Sequence, residues 1–314
     1  MIQAFAIVGP TASGKTALSL ALAERLGCKI ISCDSMQIYR EMDIGTAKAT
    51  AEEQSRAEHF LIDFLDPRES FSVENYRALA MDAARKISDY GFTPLFVGGT
   101  GLYIDSIMRL ENSESPEASE EYRRAQMEIA GKEGGEDILW QRLKDVDPDS
   151  AEKIHKNNVK RVIRALEIYD MTGKTKTWFD SRTKEKNPEI SVKMLTLDFH
   201  NRETLYDRVN LRVDIMMEEG LLDEVKSLYE RGMLIPETTA AQAIGYKEIV
   251  EHLEGKCSLD ESVEKIKLSS RRYAKRQLTW FRHEKDAIKL FVDREDGSMK
   301  DKEELVREAI ALLS

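Results

Sequence analysis

Eight residues close to the start of the chain, Gly9-Pro10-Thr11-Ala12-Ser13-Gly14-Lys15-Thr16, have the types and spacing that hold a phosphate. Glycines let the backbone curl so that consecutive N–H groups face an anion, and the positive end of a following helix adds to that field. Lys15 can reach a terminal phosphate, and the Thr16 hydroxyl can ligate Mg²⁺. The pattern arises by accident in about one chain of this length in a hundred. The competing reading is a glycine turn with no ligand. Asp34, which opens Asp34-Ser35-Met36-Gln37-Ile38-Tyr39, offers a carboxylate that can hold Mg²⁺ through water or act as a base. Asp also serves as a turn or cap residue. Gly98-Gly99-Thr100-Gly101-Leu102-Tyr103 is a second glycine loop. The Thr100 hydroxyl can donate to a substrate oxygen, although a tight strand-to-helix turn needs the same small residues.

Each of these groups follows a run of strand character. Residues 2–8 are mostly apolar and lead into the first loop, and 17–26 then carry apolar residues at helical spacing. Residues 29–32, 59–63 and 93–97 read as further strands, with Ser72 as the N-cap of a helix over 73–90. Asp34 and both glycine loops thus fall at strand carboxyl ends, where doubly wound sheets place ligands. The expected fold is α/β, a P-loop NTPase-like parallel sheet flanked by helices.

Composition changes at Glu111, where 111–121 is rich in Glu, Ser, Asn and Pro, a linker signature. From there to about 188 the pattern is helical. The clearest helix spans 158–171, with Val159, Val162, Ile163 and Leu166 as its apolar face and Gly173 as its stop. Lys160, Arg161 and Arg164 lie elsewhere on it, as on an ordinary solvated face. The block reads as an all-helical insertion domain, 111–191, within a core made of 1–110 and 192–314. A strand at 192–199 rejoins the sheet. A helix over 204–219 carries Arg208 and Arg212 one turn apart; either can reach a phosphate or pair with a surface carboxylate. Helices at 222–231 and after Gly245-Tyr246-Lys247, a strand at 288–292 and a helix at 302–313 complete the core.

Residues 259–282 form a long amphipathic helix. Val263, Ile266, Tyr273, Ala274, Gln277 and Phe281 share one face, while Lys267, Arg271, Arg272, Lys275, Arg276 and Arg282 occur with no acidic residue among them. The net charge is −10, so the whole-molecule field does not draw in a polyanion and a local patch must. This segregation points to nucleic acid; a solvated face is the bland alternative. Apolar residues at 41% and charged residues at 33% are ordinary for a globular protein. No apolar run approaches the roughly 20 residues that cross a bilayer. Met1 leads almost directly into the first strand, so no signal peptide is expected. Cys28, Cys33 and Cys257 make neither a disulfide framework nor a metal-ligand spacing, which suits the cytoplasm.

Residue chemistry alone leaves three classes open: a small-molecule kinase, a nucleic-acid-modifying transferase that holds a diphosphate, and a nucleotide-gated RNA-binding switch. The basic helix disfavours the kinase, and Asp34 disfavours a passive switch. The chain resembles the tRNA dimethylallyltransferase (tRNA isopentenyltransferase) family. The resemblance is carried by the phosphate loop, the Asp34–Tyr39 stretch, Asp43-Ile44-Gly45-Thr46-Ala47-Lys48 and the second glycine loop. It continues in Arg161-Val162-Ile163-Arg164-Ala165-Leu166-Glu167, Gly245-Tyr246-Lys247-Glu248 and Tyr273-Ala274-Lys275-Arg276-Gln277-Leu278-Thr279-Trp280-Phe281-Arg282, in the family's order over almost the whole chain.

The resemblance implies transfer of a dimethylallyl group from dimethylallyl diphosphate to the exocyclic N6 amine of the adenosine just 3′ of the tRNA anticodon. It makes Asp34, Thr100 and Lys15 catalytic, and gives the diphosphate to residues 9–16 and Arg208, with Mg²⁺ at Thr16. It implies tRNA contact, through the anticodon stem-loop, by Asp34, Ser35, Met36, Gln37 and Thr100, and by Asn158, Val159, Lys160, Arg161, Val162 and Arg164 of the insertion. Further tRNA contacts fall on Gly245, Tyr246, Lys247, Arg271, Lys275, Arg276 and Gln277. A monomer without membrane attachment is expected. Ala49 stands where the family usually has Pro, and Lys156 and Asn158 replace Pro and Asp, changes that touch loop stiffness and capping. With no zinc-finger extension after Ser314, the chain is similar to the shorter bacterial form.

Overall fold

The computed structural model describes residues 1–110, 119–182 and 185–314. The chain forms two compact units, Met1–Met108 with Pro188–Ser314, and Arg109–Asn187.

The first unit is built on a six-stranded, all-parallel sheet of order β3-β2-β4-β1-β5-β6. The strands are β1 (Ile2–Val8), β2 (Cys28–Ser32), β3 (His59–Phe60), β4 (Thr93–Gly98), β5 (Ile190–Asp198) and β6 (Ala287–Phe291). Near-continuous apolar strands suit a sheet covered on both faces. Alternation along β1 sends Ile7 into one core with Leu20, Leu22, Leu195 and Leu278, and Ala6 and Val8 into the other with Tyr76, Phe96 and Ile104. Helices α1 (Lys15–Leu26), α2 (Ala51–Arg56), α3 (Val73–Asp89) and α4 (Gly101–Met108) belong to the first half of this unit. Ser72 and Thr50 cap α3 and α2 with reciprocal capping boxes. The strand expected over 59–63 stops at Phe60, because Leu61 and Asp63 both take positive φ (58°) and turn the chain.

The second unit contains α5 (Glu120–Ala130), α6 (Gly135–Val146), α7 (Pro148–Lys153), α8 (Val159–Thr172) and α9 (Lys176–Arg182). They enclose Leu139, Leu143, Val162, Ile163 and Leu166. The linker expected over 111–121 lies outside the described residues up to 118. Its last three positions belong instead to the start of α5, where Ser119 accepts from Tyr122 N and caps the helix.

After β5 the first unit continues with α10 (Arg202–Glu218), α11 (Leu221–Glu230), α12 (Tyr246–Leu253), α13 (Leu259–Arg282) and α14 (Lys302–Leu313). A third core joins Ile38, Tyr39 and Met42, which follow β2, to Leu221, Val225, Tyr246 and Ile266 of these helices. That core fixes the floor on which the segment after Asp34 rests.

Candidate active site

The phosphate loop links β1 to α1. Ala12 (φ 62°) and Gly14 (φ 91°) both lie in the left-handed region, which turns successive N–H groups to one side. Gly14 is the N-cap of α1 and supplies no side-chain cap, so among the described residues no side chain caps the first-turn donors. Ser13 Oγ is buried without a hydrogen-bond partner among the described residues. An uncapped helix end beside an orphaned hydroxyl fits a bound phosphate and the cation that accompanies it. Lys15 Nζ donates to Gly9 O (3.0 Å) and Pro10 O (2.6 Å). Burial lowers its pKa to about 7; the Arg212 charge pushes the same way and Asp34 opposes.

The second glycine loop is locked onto the Asp34 segment. A Cβ on Gly98 would meet Cys33 O at 2.2 Å, so only glycine lets the two backbones touch. Thr100 N donates to Cys33 O (3.1 Å), and Thr100 Oγ1 accepts from Ser35 N (3.1 Å). Asp34 Oδ1 accepts from Met36 N (2.9 Å), the turn role its residue type also allowed. Among the described residues nothing donates to Asp34 Oδ2. Gln277 of α13 ties the two glycine loops together: its Oε1 accepts from Thr11 N (2.8 Å) and its Nε2 donates to Gly99 O (2.9 Å). Tyr273 lies one turn before it, its phenol pushed up to about 12 mainly by burial, with Asp34 adding.

Helix α10 brings both arginines to the same place. Arg208 Nε donates to Ala12 O (2.8 Å), and Arg212 Nη2 to Thr46 O (3.3 Å). Burial lowers both pKa values, and Asp34 partly restores that of Arg212. The result is one cleft of about 670 Å³. Residues 11–16, Asp34, Arg208 and Arg212 line it together with Met36, Ala47, Val213, Met216 and Ile266. Cations beside apolar side chains suit a ligand with an anionic head and a hydrocarbon body.

Ser35, Met36, Gln37, Gly245, Lys247, Arg276 and Gln277 also line this cleft. Tyr246 does not present its side chain there: it is 0% exposed, because its ring fills the space over Gly45 and its hydroxyl bonds Glu224. The basic run of α13 is also less free than its composition suggested. Lys267 pairs with Asp214, Arg271 donates to Asn210, and Arg282 makes a two-pronged pair with buried Asp198. Arg272, Lys275 and Arg276 remain exposed and line a shallow surface pocket with Trp280.

In the helical unit Asn158, Lys160 and Arg161 are exposed and Val159 is half-buried. Val162 does not meet the expectation of an RNA contact: it is a core residue at 1% exposure, packed with Leu139, Leu143 and Leu166, and its N–H is bonded to Asn158 O. Arg164 is engaged by Glu167, a fully buried carboxylate that also holds Arg123 and Ser119 N. Residue types signalled Arg212, through its spacing from Arg208, but gave no sign of the Gln277 bridge or of Glu224, whose partners are distant in sequence.

The family described as IPP transferase matches residues 37–284, and that described as isopentenyl transferase matches residues 2–69. The tRNA dimethylallyltransferase of Bacillus cereus (strain B4264) is 50% identical over 292 residues, covering 93% of this chain and 90% of that protein. The crystal structure of the full-length tRNA isopentenylpyrophosphate transferase from Bacillus halodurans is 42% identical with a TM-score of 0.69, covering 100% of this chain and 97% of that one. A eukaryotic dimethylallyltransferase acting on tRNA is 31% identical with a TM-score of 0.77, over 93% of this chain and 74% of that one. With a family match across most of its length and relatives this similar over nearly all of it, the chain belongs to the IPP transferase family.

Proposed function

We propose that the protein transfers a dimethylallyl group from dimethylallyl diphosphate to the exocyclic N6 amine of the adenosine 3′ to the anticodon in tRNA, in the cytoplasm. The observation that carries this reading is the single cleft in which the phosphate loop, Asp34, two arginines and an apolar wall meet. The uncapped start of α1, Lys15, Arg208 and Arg212 receive the diphosphate; Met36, Val213 and Met216 face its hydrocarbon part. Thr16 is the residue to ligate Mg²⁺, which when bound neutralises charge on the leaving group.

The amine is a poor nucleophile because its lone pair is conjugated with the ring, so orientation and leaving-group stabilisation must supply much of the rate. The nitrogen lone pair forms the new N–C bond at C1 of the donor while the C1–O bond breaks and its electrons leave with diphosphate. Asp34, which lines the cleft and whose Oδ2 accepts no hydrogen bond from the described residues, takes the proton the nitrogen loses. Thr100 is fixed by Cys33 O and Ser35 N and donates its hydroxyl to Ser35 Oγ (3.4 Å), just outside the residues that line the cleft. Turned from that long bond, the hydroxyl is the donor for the bridging oxygen. The exposed Arg272, Lys275, Arg276 and Trp280 of α13 offer charge and a stacking surface to RNA. The test is purified protein with labelled dimethylallyl diphosphate and unmodified tRNA. Label in the RNA supports the reading. Phosphoryl transfer from ATP to a small acceptor, with no label in RNA, replaces it with a kinase.

A further inference from the structure

We propose that Glu224 is a positioning residue for the cleft, acting through the loop 43–48 on Arg212 and Gln37; this rests on the transfer reading above. Glu224, in the first turn of α11, has four donors on one carboxylate. Oε2 accepts from Asp43 N (3.0 Å) and Ile44 N (2.8 Å), and Oε1 from Gly45 N (3.2 Å) and the Tyr246 hydroxyl (2.5 Å). Three consecutive backbone N–H groups around one anion form a nest, filled here by the protein's own side chain. Only a carboxylate, with two acceptor oxygens and no hydrogen, satisfies all four; an amide turns N–H against N–H.

The far side of the loop is held by Lys48, whose side chain is 4% exposed and donates to Tyr39 O, Asp43 Oδ1 and Asp63 Oδ1. With its backbone gripped from both sides, the loop aims two carbonyls at cleft residues. Thr46 O accepts from Arg212 Nη2 (3.3 Å) and Gln37 Nε2 (3.3 Å), and Ala47 O accepts from Gln37 Nε2 (3.2 Å). That bond to Thr46 O orients Arg212, whose charge is felt by Lys15 and which itself feels Asp34. Two sequence features gain a reason. Position 45 is glycine because a Cβ would sit 2.4 Å from the Tyr246 ring. Tyr246 is buried there because its hydroxyl completes the shell of Glu224.

Glu224→Gln keeps the shape and removes the charge. The expected result is a donor KM and an inorganic diphosphate Kd each raised about tenfold, as when one charge-assisted bond is removed, with tRNA affinity within about twofold of wild type. Because the effect passes through Arg212, the loss is expected to vanish in an Arg212→Gln background, in a double-mutant cycle read in diphosphate Kd. Additive losses in that cycle, or an unchanged diphosphate Kd in the folded single variant, overturn the proposal. If Glu224→Gln fails to fold, Tyr246→Phe removes one of the four donors but keeps the ring, and the same non-additivity is expected at smaller size. A wild type that binds diphosphate but labels no tRNA overturns the transfer reading alone, since the cycle in diphosphate affinity still decides on Glu224.

Discussion

Diphosphate binding should take up a proton through Lys15. In the ligand-free protein burial lowers this ammonium to about 7. A diphosphate in the loop supplies counter-charge, which favours the charged form and returns the pKa toward its ordinary value. The free lysine is about half protonated at pH 7 and about one-tenth at pH 8, so binding takes up about half a proton at pH 7 and about nine-tenths at pH 8. This group's contribution to affinity therefore falls with rising pH, by close to tenfold per unit above about pH 8. The ligand's own ionisation is removed by comparison with Lys15→Arg, whose guanidinium stays charged throughout. Calorimetric titration of inorganic diphosphate at pH 8, in two buffers of different ionisation enthalpy, gives the protons exchanged. Wild type should take up about 0.9 proton more than Lys15→Arg. Equal uptake by the two proteins refutes the reasoning. The unliganded fold has the opposite dependence. The unfolded lysine titrates at 10.5 and the native one at about 7, so the unfolded state binds more protons between those values. The contribution of Lys15 to stability therefore improves as pH rises through that window.

Asp34→Asn should slow single-turnover transfer by about 10²- to 10⁴-fold with tRNA and diphosphate affinity retained, since the amide cannot take the proton; near-wild-type turnover removes Asp34 from the mechanism. Changing Arg272, Lys275 and Arg276 together to Gln should weaken tRNA binding and flatten its salt dependence, measured as Kd across a salt series. The slope should fall by roughly 0.7 to 0.9 log units for each RNA phosphate that is no longer neutralised. Donor affinity should be unaffected by the Arg272 and Lys275 changes alone, since of the three only Arg276 also lines the cleft. Gly99→Ala places a Cβ 2.1 Å from Gln277 Nε2, so the buried amide must move and release Thr11 N and Gly99 O. A destabilisation of about 1–3 kcal/mol is expected in denaturant unfolding, partly relieved by adding Gln277→Ala.

What the sequence made legible was local. The phosphate loop, the Ser72 cap and the strand ends that carry Asp34 and Thr100 are each written in a few adjacent residues, and the structure has each in its expected place. Strand order was not written that way. Carboxyl-end placement put Asp34 near the first glycine loop, yet β4 lies between β2 and β1. The residues on either side of Asp34, Cys33 and Ser35, are consequently bonded to Thr100 of the second loop, while Asp34 shares the lining of one cleft with the first loop. The charge of α13 misled for the same reason. A run of cations without an anion looks unpaired in sequence, but Asp198, Asn210 and Asp214 arrive from β5 and α10 to engage three of the six. Pairing across a parallel sheet and its covering helices joins residues tens to hundreds of positions apart, and spacing rules end at about one helical turn. The residues that aim the site, Gln277 at 266 positions from Thr11 and Glu224 at 179 to 181 from the loop it grips, lie beyond that reach by construction. A sequence therefore shows which groups can do the chemistry well before it shows what holds them in line.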